Sequence, residues 1–161
     1  MSVRVPVYDT GMLIALAARK AKAIQMHRSL DGTPHRPIVP GPVLAQMWRP
    51  DPATVHALST VLKESVVPQA RSSPPALRPT SAGQAQCIAC ATAPDMADWR
   101  RIGGVLGTAS LPPKKRPDVV DALVAWTAVK HQGAVVFTSD PEDLAAYLET
   151  FGAEDVHLIS V

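Results

Sequence analysis

The chain has 161 residues, of which 47% are hydrophobic, and a formal net charge of +2. That length suits one domain with a sizeable core, and the weakly basic balance points to no partner class by itself. No apolar run approaches the ~20 residues that span a bilayer. The opening V-R-V-P-V-Y lacks the long apolar core of a signal peptide, so a cytoplasmic protein is expected.

In chain order, residues 3–8 read as a first strand. Residues 10–20 read as a helix with Met12, Leu13, Leu16 and Ala17 on one apolar face. A second helix over about 20–30 ends before Asp31-Gly32-Thr33-Pro34. A short Pro-bounded strand follows at 37–40. Residues 42–48 read as a helix with proline in its first turn, and 53–62 as another. Residues 66–84 break the pattern with four prolines, several serines and Gly83, and read as an irregular Pro/Ser-rich insertion. Residues 86–93 suggest a strand. Residues 95–106 read as a helix weakened by Gly103-Gly104, and 111–117 as a basic loop. A helix over 119–131 closes at Gly133. A buried strand at 134–138, a helix at 141–151 and a final strand at 156–161 complete the chain. Strands separated by helices imply one α/β domain, a three-layer α/β/α sandwich around a mainly parallel sheet.

Three segments place aspartates where an apolar strand gives way to a helix or where a helix opens. They are V-P-V-Y-Asp9-Thr10, P-Asp118-V-V-Asp121-A-L-V, and V-F-Thr138-Ser139-Asp140-P-E-Asp143. Singly, Asp118 and Asp143 read first as helix-capping acids, and Asp140 as either a cap or a site residue. Capping does not require Asp121, which lies inside the first turn of a largely apolar helix. Together the three segments should meet, because the carboxyl ends of parallel strands line one crevice. Gathered carboxylates repel unless a cation lies between them, and Mg²⁺ or Mn²⁺ takes oxygen ligands of this kind. Such a site suits phosphodiester hydrolysis. A receiver or small phosphatase also uses acidic clusters, but no phosphate-cradling Gly loop or nucleophile motif accompanies this one.

Cys87 and Cys90 form C-I-A-C without a second Cys pair, and the five histidines are scattered. Small buried residues are the favoured reading, with a redox or metal role the lesser alternative.

With these residues in view, the chain resembles the PIN domain family, especially VapC-type toxins of type II toxin–antitoxin pairs. The resemblance rests on Y-D-T-G-M-L-I-A-L, I-V-P-G-P-V-L-A-Q-M-W-R, R-R-I-G-G-V-L-G, D-V-V-D-A-L-V-A-W-T-A and T-S-D-P-E-D-L, in that order. It covers nearly the whole chain, residues 1–161, as a single PIN-like domain. It implies a Mg²⁺- or Mn²⁺-dependent endoribonuclease with Asp9, Asp121 and Asp140 as catalytic metal ligands. Thr10, Thr138 and Ser139 fall where the family carries hydroxyls near the site. The family's second acid, a glutamate, falls on Gln46, so the pocket loses one negative charge. A weaker second-metal site is then expected, or one completed by Asp118 or Asp143, and the alternative is a catalytically impaired module that binds RNA or protein. The resemblance also implies a cognate antitoxin and a homodimer.

An RNA substrate calls for a cationic rim, and Lys114, Lys115 and Arg116 are the first candidates, with Arg49, Arg100 and Arg101 behind them. Met12, Leu13, Leu16, Ile24, Met26 and Leu30 supply core, and any surplus would form a groove for a partner helix.

Overall fold

A computed structural model describes residues 4–70, 87–131 and 133–161. Three parallel strands form the sheet: β1 (Val5–Tyr8), β2 (Ala134–Thr138) and β3 (Val156–Ser160), in the order β1-β2-β3. Register runs Val5 to Ala134 and Tyr8 to Phe137 across the first pair, and Ala134 to Val156 across the second. β1 is buried throughout, consistent with its unbroken apolar run.

Beyond β1 the pairing continues through single bridges. Ile38 pairs in parallel with Val7, and Val66 with Ile38. Tyr8 N donates to Ile38 O and Ile38 N to Pro6 O, both at 2.9 Å. Two prolines, Pro37 and Pro40, bracket this segment and remove donors, so the expected strand at 37–40 shortens to the single residue Ile38, bridged on both sides.

Eight helices are present among the described residues. They are α1 (Thr10–Ala17), α2 (Ala21–Arg28), α3 (Gly41–Met47), α4 (Pro52–Lys63), α5 (Ile88–Ala91), α6 (Met96–Thr108), α7 (Val119–Val129) and α8 (Pro141–Phe151). α1 packs on β1, β2, α3 and α4, while α7 packs on β1, β2, α6 and α8. Each long helix starts on a local signal. Asp51 caps α4 through Thr54 N, and Asp95 with Asp98 forms a capping box on α6. Gly152, at φ 72°, closes α8 in the left-handed conformation that glycine adopts without cost.

Three expectations change. Residues 86–93 do not form a strand: Ile88–Ala91 is a helical turn, with Cys90 N donating to Cys87 Sγ at 3.3 Å, and only Thr92 pairs onward, with Gln69. The small residues that suggested a strand fit a turn of helix equally well. The start of the expected insertion at 66–84 is regular, because Val66 and Gln69 both bridge, while residues 71–86 lie outside those described. α6 runs through Gly103-Gly104 to Thr108, its capping box and buried Ile102 and Val105 outweighing the glycines.

Met12, Leu13 and Leu16 are core, as is Trp126, and Ile24, Met26 and Leu30 pack partly buried against them. No helix among the described residues is long and apolar enough to cross a membrane.

Candidate metal centre

The last residues of β1 and β2 bring Asp9 and Thr138 side by side. Asp9 is buried, and each of its oxygens is engaged: Thr10 N donates to Oδ1 at 2.6 Å and Thr138 Oγ1 donates to Oδ2 at 2.7 Å. Thr138 Oγ1 in turn accepts from Asp140 N at 2.9 Å. One buried hydroxyl therefore ties the first carboxylate to the turn that carries the third. A carboxylate has about four lone-pair sites, so Asp9 keeps acceptor capacity on both oxygens.

The turn that carries Ser139 is pressed against α1. A Cβ added to Gly11 would lie 2.2 Å from Ser139 Oγ and 2.7 Å from Ser139 N. Only glycine lets these two segments approach so closely, which gives Gly11 a packing reason that the sequence motif did not reveal. Ser139 itself is exposed and sits beside the cluster.

α7 contributes two aspartates. Asp118 is its N-cap, accepting from Val120 N at 2.7 Å, and Asp118 N donates to Tyr147 Oη at 2.9 Å. Tyr147 is fully buried on α8 and locks α7 to α8 at the site; its spacing in the sequence carried no sign of this. Asp121 follows in the first turn. Burial, then the negative charges of Asp9, Asp118, Asp143 and Asp140, push its carboxyl up to about 7. Asp9 is also raised, by burial first and by Asp118 last, against the lowering effect of its hydrogen bonds to Thr138, Thr10 and Gly11. The carboxylates expected from three separate segments thus share one electrostatic environment.

α8 places its acids differently from ordinary caps. Asp140 occupies the N-cap position without a side-chain cap bond. Its carboxylate instead pairs with Lys115 Nζ at 2.5 Å, and the same ammonium lies 2.9 Å from Asp143 Oδ2. These hydrogen bonds to Asp140 and then Asp143 hold the Lys115 proton above its ordinary range. Lys115, expected on the phosphate-binding rim, is exposed and at the same time ion-paired with two of the five carboxylates. Lys114 and Arg116 stay exposed on either side of it. Asp143, expected as a capping acid, is buried, and its Oδ1 has no partner.

Gln46 reaches the same edge from α3. Its Oε1 accepts from Thr10 Oγ1 at 2.6 Å, one residue from Asp9. It is exposed.

The donor set fits a hard divalent cation. Every donor is oxygen, one buried carboxylate oxygen is unpartnered, and burial together with the nearby negative charge raises Asp121. The cluster is nevertheless loose. Among the described residues the group of three ligand atoms drawn within 4.8 Å of one another is His35, Cys87 and Cys90, not a set of carboxylates. Mutual repulsion and the pull of Lys115 on Asp140 and Asp143 account for the spacing.

The chain matches no family model, no curated protein and no solved structure.

Proposed function

We propose that this protein is a Mg²⁺- or Mn²⁺-dependent endoribonuclease of the PIN type, a VapC-like toxin restrained by a cognate antitoxin in the cytoplasm. The observation that carries the reading is the convergence of Asp9, Asp118, Asp143 and Asp140 on the partly buried Asp121, whose carboxyl is pushed up to about 7 by burial first and then by these four charges. Such mutual destabilisation serves no folding purpose, and perturbed carboxyls gathered at strand ends mark functional sites. Helices packed on β1 and β2 in two groups, α1 with α3 and α4 and α7 with α6 and α8, support a three-layer sandwich. The homodimer belongs to the same reading.

Asp9, Asp121 and Asp140 would hold the cation, with Asp143 offering its unpartnered oxygen. When bound, a divalent ion orients and acidifies water and stabilises charge on the phosphate. The remaining roles belong to the chain. Thr138 and the Thr10 amide fix the orientation of Asp9. The Asp140 amide, held by Thr138, sets the start of α8. Asp121 gives up its proton as positive charge enters the pocket. Lys115 swings from Asp140 and Asp143 toward an entering phosphate, and Lys114 and Arg116 already face solvent to receive the RNA backbone.

One observation favours a second reading, an impaired domain that binds RNA or protein without cutting. Lys115 already neutralises two of the carboxylates, and Gln46 supplies a neutral oxygen bonded to Thr10 in place of an acid. Metal-dependent cleavage of a mixed RNA pool by the purified protein, with Asp121→Asn as control, decides between the two. Cleavage that needs Mn²⁺ or Mg²⁺ and disappears in the variant supports the nuclease. RNA retention without cleavage at saturating metal supports the second reading.

A further inference from the structure

At the far end of α7 from the acidic pocket, three side chains from two distant segments meet. The ligand atoms of His35, Cys87 and Cys90 all lie within 4.8 Å of one another. Neither cysteine is in a disulfide. His35 lies in the loop between α2 and Ile38; Cys87 and Cys90 flank and enter α5. We infer that His35, Cys87 and Cys90 form a zinc-binding site, with His131 as its fourth ligand.

Four observations meet here. Thiolate and imidazole are borderline-soft donors that select zinc over Mg²⁺ or Mn²⁺. Two cysteines with two residues between them are the usual half of a structural zinc site, and the fold supplies from residue 35 what the sequence does not place nearby. Ligand atoms around tetrahedral zinc are roughly 3.5–3.8 Å apart, so a cluster within 4.8 Å needs only side-chain adjustment to close. Finally, His35 Nδ1 and His131 Nε2 are buried with no hydrogen-bond partner. A buried ring nitrogen without a partner is costly, and coordination would satisfy it.

His131 is the C-terminal neighbour of Lys130, the residue that ends α7. The charges of Lys130 and His35 reach its ring. The cationic neighbour is Lys130, whose Nζ donates to Thr92 O at 2.8 Å and lies 4.7 Å from the centre of the Trp126 ring. Asp98 also faces Lys130. Binding would form two Zn–S and two Zn–N bonds and release the two thiol protons to solvent. The ion would tie the 31–36 loop, the α5 turn and the end of α7 together beside the Gln69–Thr92 bridge. The inference does not depend on the nuclease reading, because none of its ligands belongs to the acidic pocket.

The test uses the full chain, reduced and stripped of metal, with excess Mg²⁺ to keep other ions off the carboxylates. Co²⁺ serves as the spectroscopic probe. We expect one equivalent to bind with the strong visible absorption of tetrahedral cobalt and a thiolate-to-metal charge-transfer band, both removed by Zn²⁺. Zn²⁺ should also protect Cys87 and Cys90 of the wild type from alkylation, a readout that needs no variant. Cys90→Ser and His35→Gln should weaken binding at least about tenfold, with metal-free circular dichroism as the folding control. His131→Gln should weaken it by a similar factor while the charge-transfer band persists; an unchanged affinity would remove His131 from the site. Wild-type protein that takes up no Co²⁺, gives only the pale spectrum of octahedral cobalt, or alkylates equally with and without Zn²⁺ would overturn the proposal.

Discussion

The two ends of α7 carry opposite chemistry. Asp118 and Asp121 open the helix among three more carboxylates, whereas His131 follows its end within reach of the charge of His35, which itself clusters with two thiols. Ten residues separate Asp121 from His131, about 15 Å along the helix. The acidic end is charged, hard and loosely spaced, with its ligands held apart by repulsion and by Lys115. The thiol end is compact, with its three ligand atoms within 4.8 Å of one another. Between them lies a run of buried residues from Ala122 to Ala128, all apolar except Thr127.

The largest effect that would break this contrast is on turnover. Asp121→Asn should lower metal-dependent RNA cleavage by about 100-fold or more, as loss of a group that stabilises transition-state charge does. Single-turnover cleavage assays at saturating Mn²⁺ measure it. Equal activity in wild type and variant would leave the acidic end without its assigned role.

The next effect is on stability without metal. The folded chain holds protons on Asp9 and Asp121 more tightly than the unfolded chain, so stability is fully present below the ordinary carboxylate range. It falls as pH rises through the folded value, about 7 for Asp121 against 3.8 unfolded. The loss between pH 4 and pH 8 should be about 2–4 kcal/mol, scaling with ~1.4 kcal/mol per pKa unit and reduced by partial solvation. Urea titrations in chelator across that range read it directly. Asp121→Asn should flatten most of the slope, and a flat wild-type profile would show that the carboxylates do not share one field.

Lys115→Met sharpens the comparison from the cation's side. It removes the ammonium that competes for Asp140 and Asp143, so Mn²⁺ should bind roughly threefold to fivefold more tightly by calorimetry. RNA affinity should fall if Lys115 also meets phosphate. Weaker Mn²⁺ binding would mean that Lys115 supports the geometry of the site instead of competing with the ion.

Gln46→Glu should have the smallest effect, a gain in Mn²⁺ affinity of about threefold from an added exposed carboxylate one hydrogen bond from Asp9's neighbour. Calorimetric titration beside cleavage at limiting Mn²⁺ checks it. Cleavage that appears only in the glutamate variant would favour the impaired reading.

Local signals determined much of this molecule from the sequence alone. β-branched runs marked β1 and β2, apolar periodicity marked α1 and α8, and the aspartates stood at helix starts because short polar side chains satisfy free amides there. Neighbours in the chain decide such features, so the residue order suffices to read them. What it left open depended on groups far apart in sequence. Asp121's raised carboxyl needs Asp9, 112 positions away, and Asp140, 19 positions away. Lys115 read as a solvated rim charge because nothing local showed that Asp140 and Asp143 would fold back onto it. Cys87 and Cys90 read as small buried residues because their third ligand, His35, lies 52 residues before Cys87. Hydrogen bonding at caps is settled within one turn of chain. Electrostatic coupling and ligand clustering act through space, and only the packing of α1, α5, α7 and α8 around the sheet set those distances.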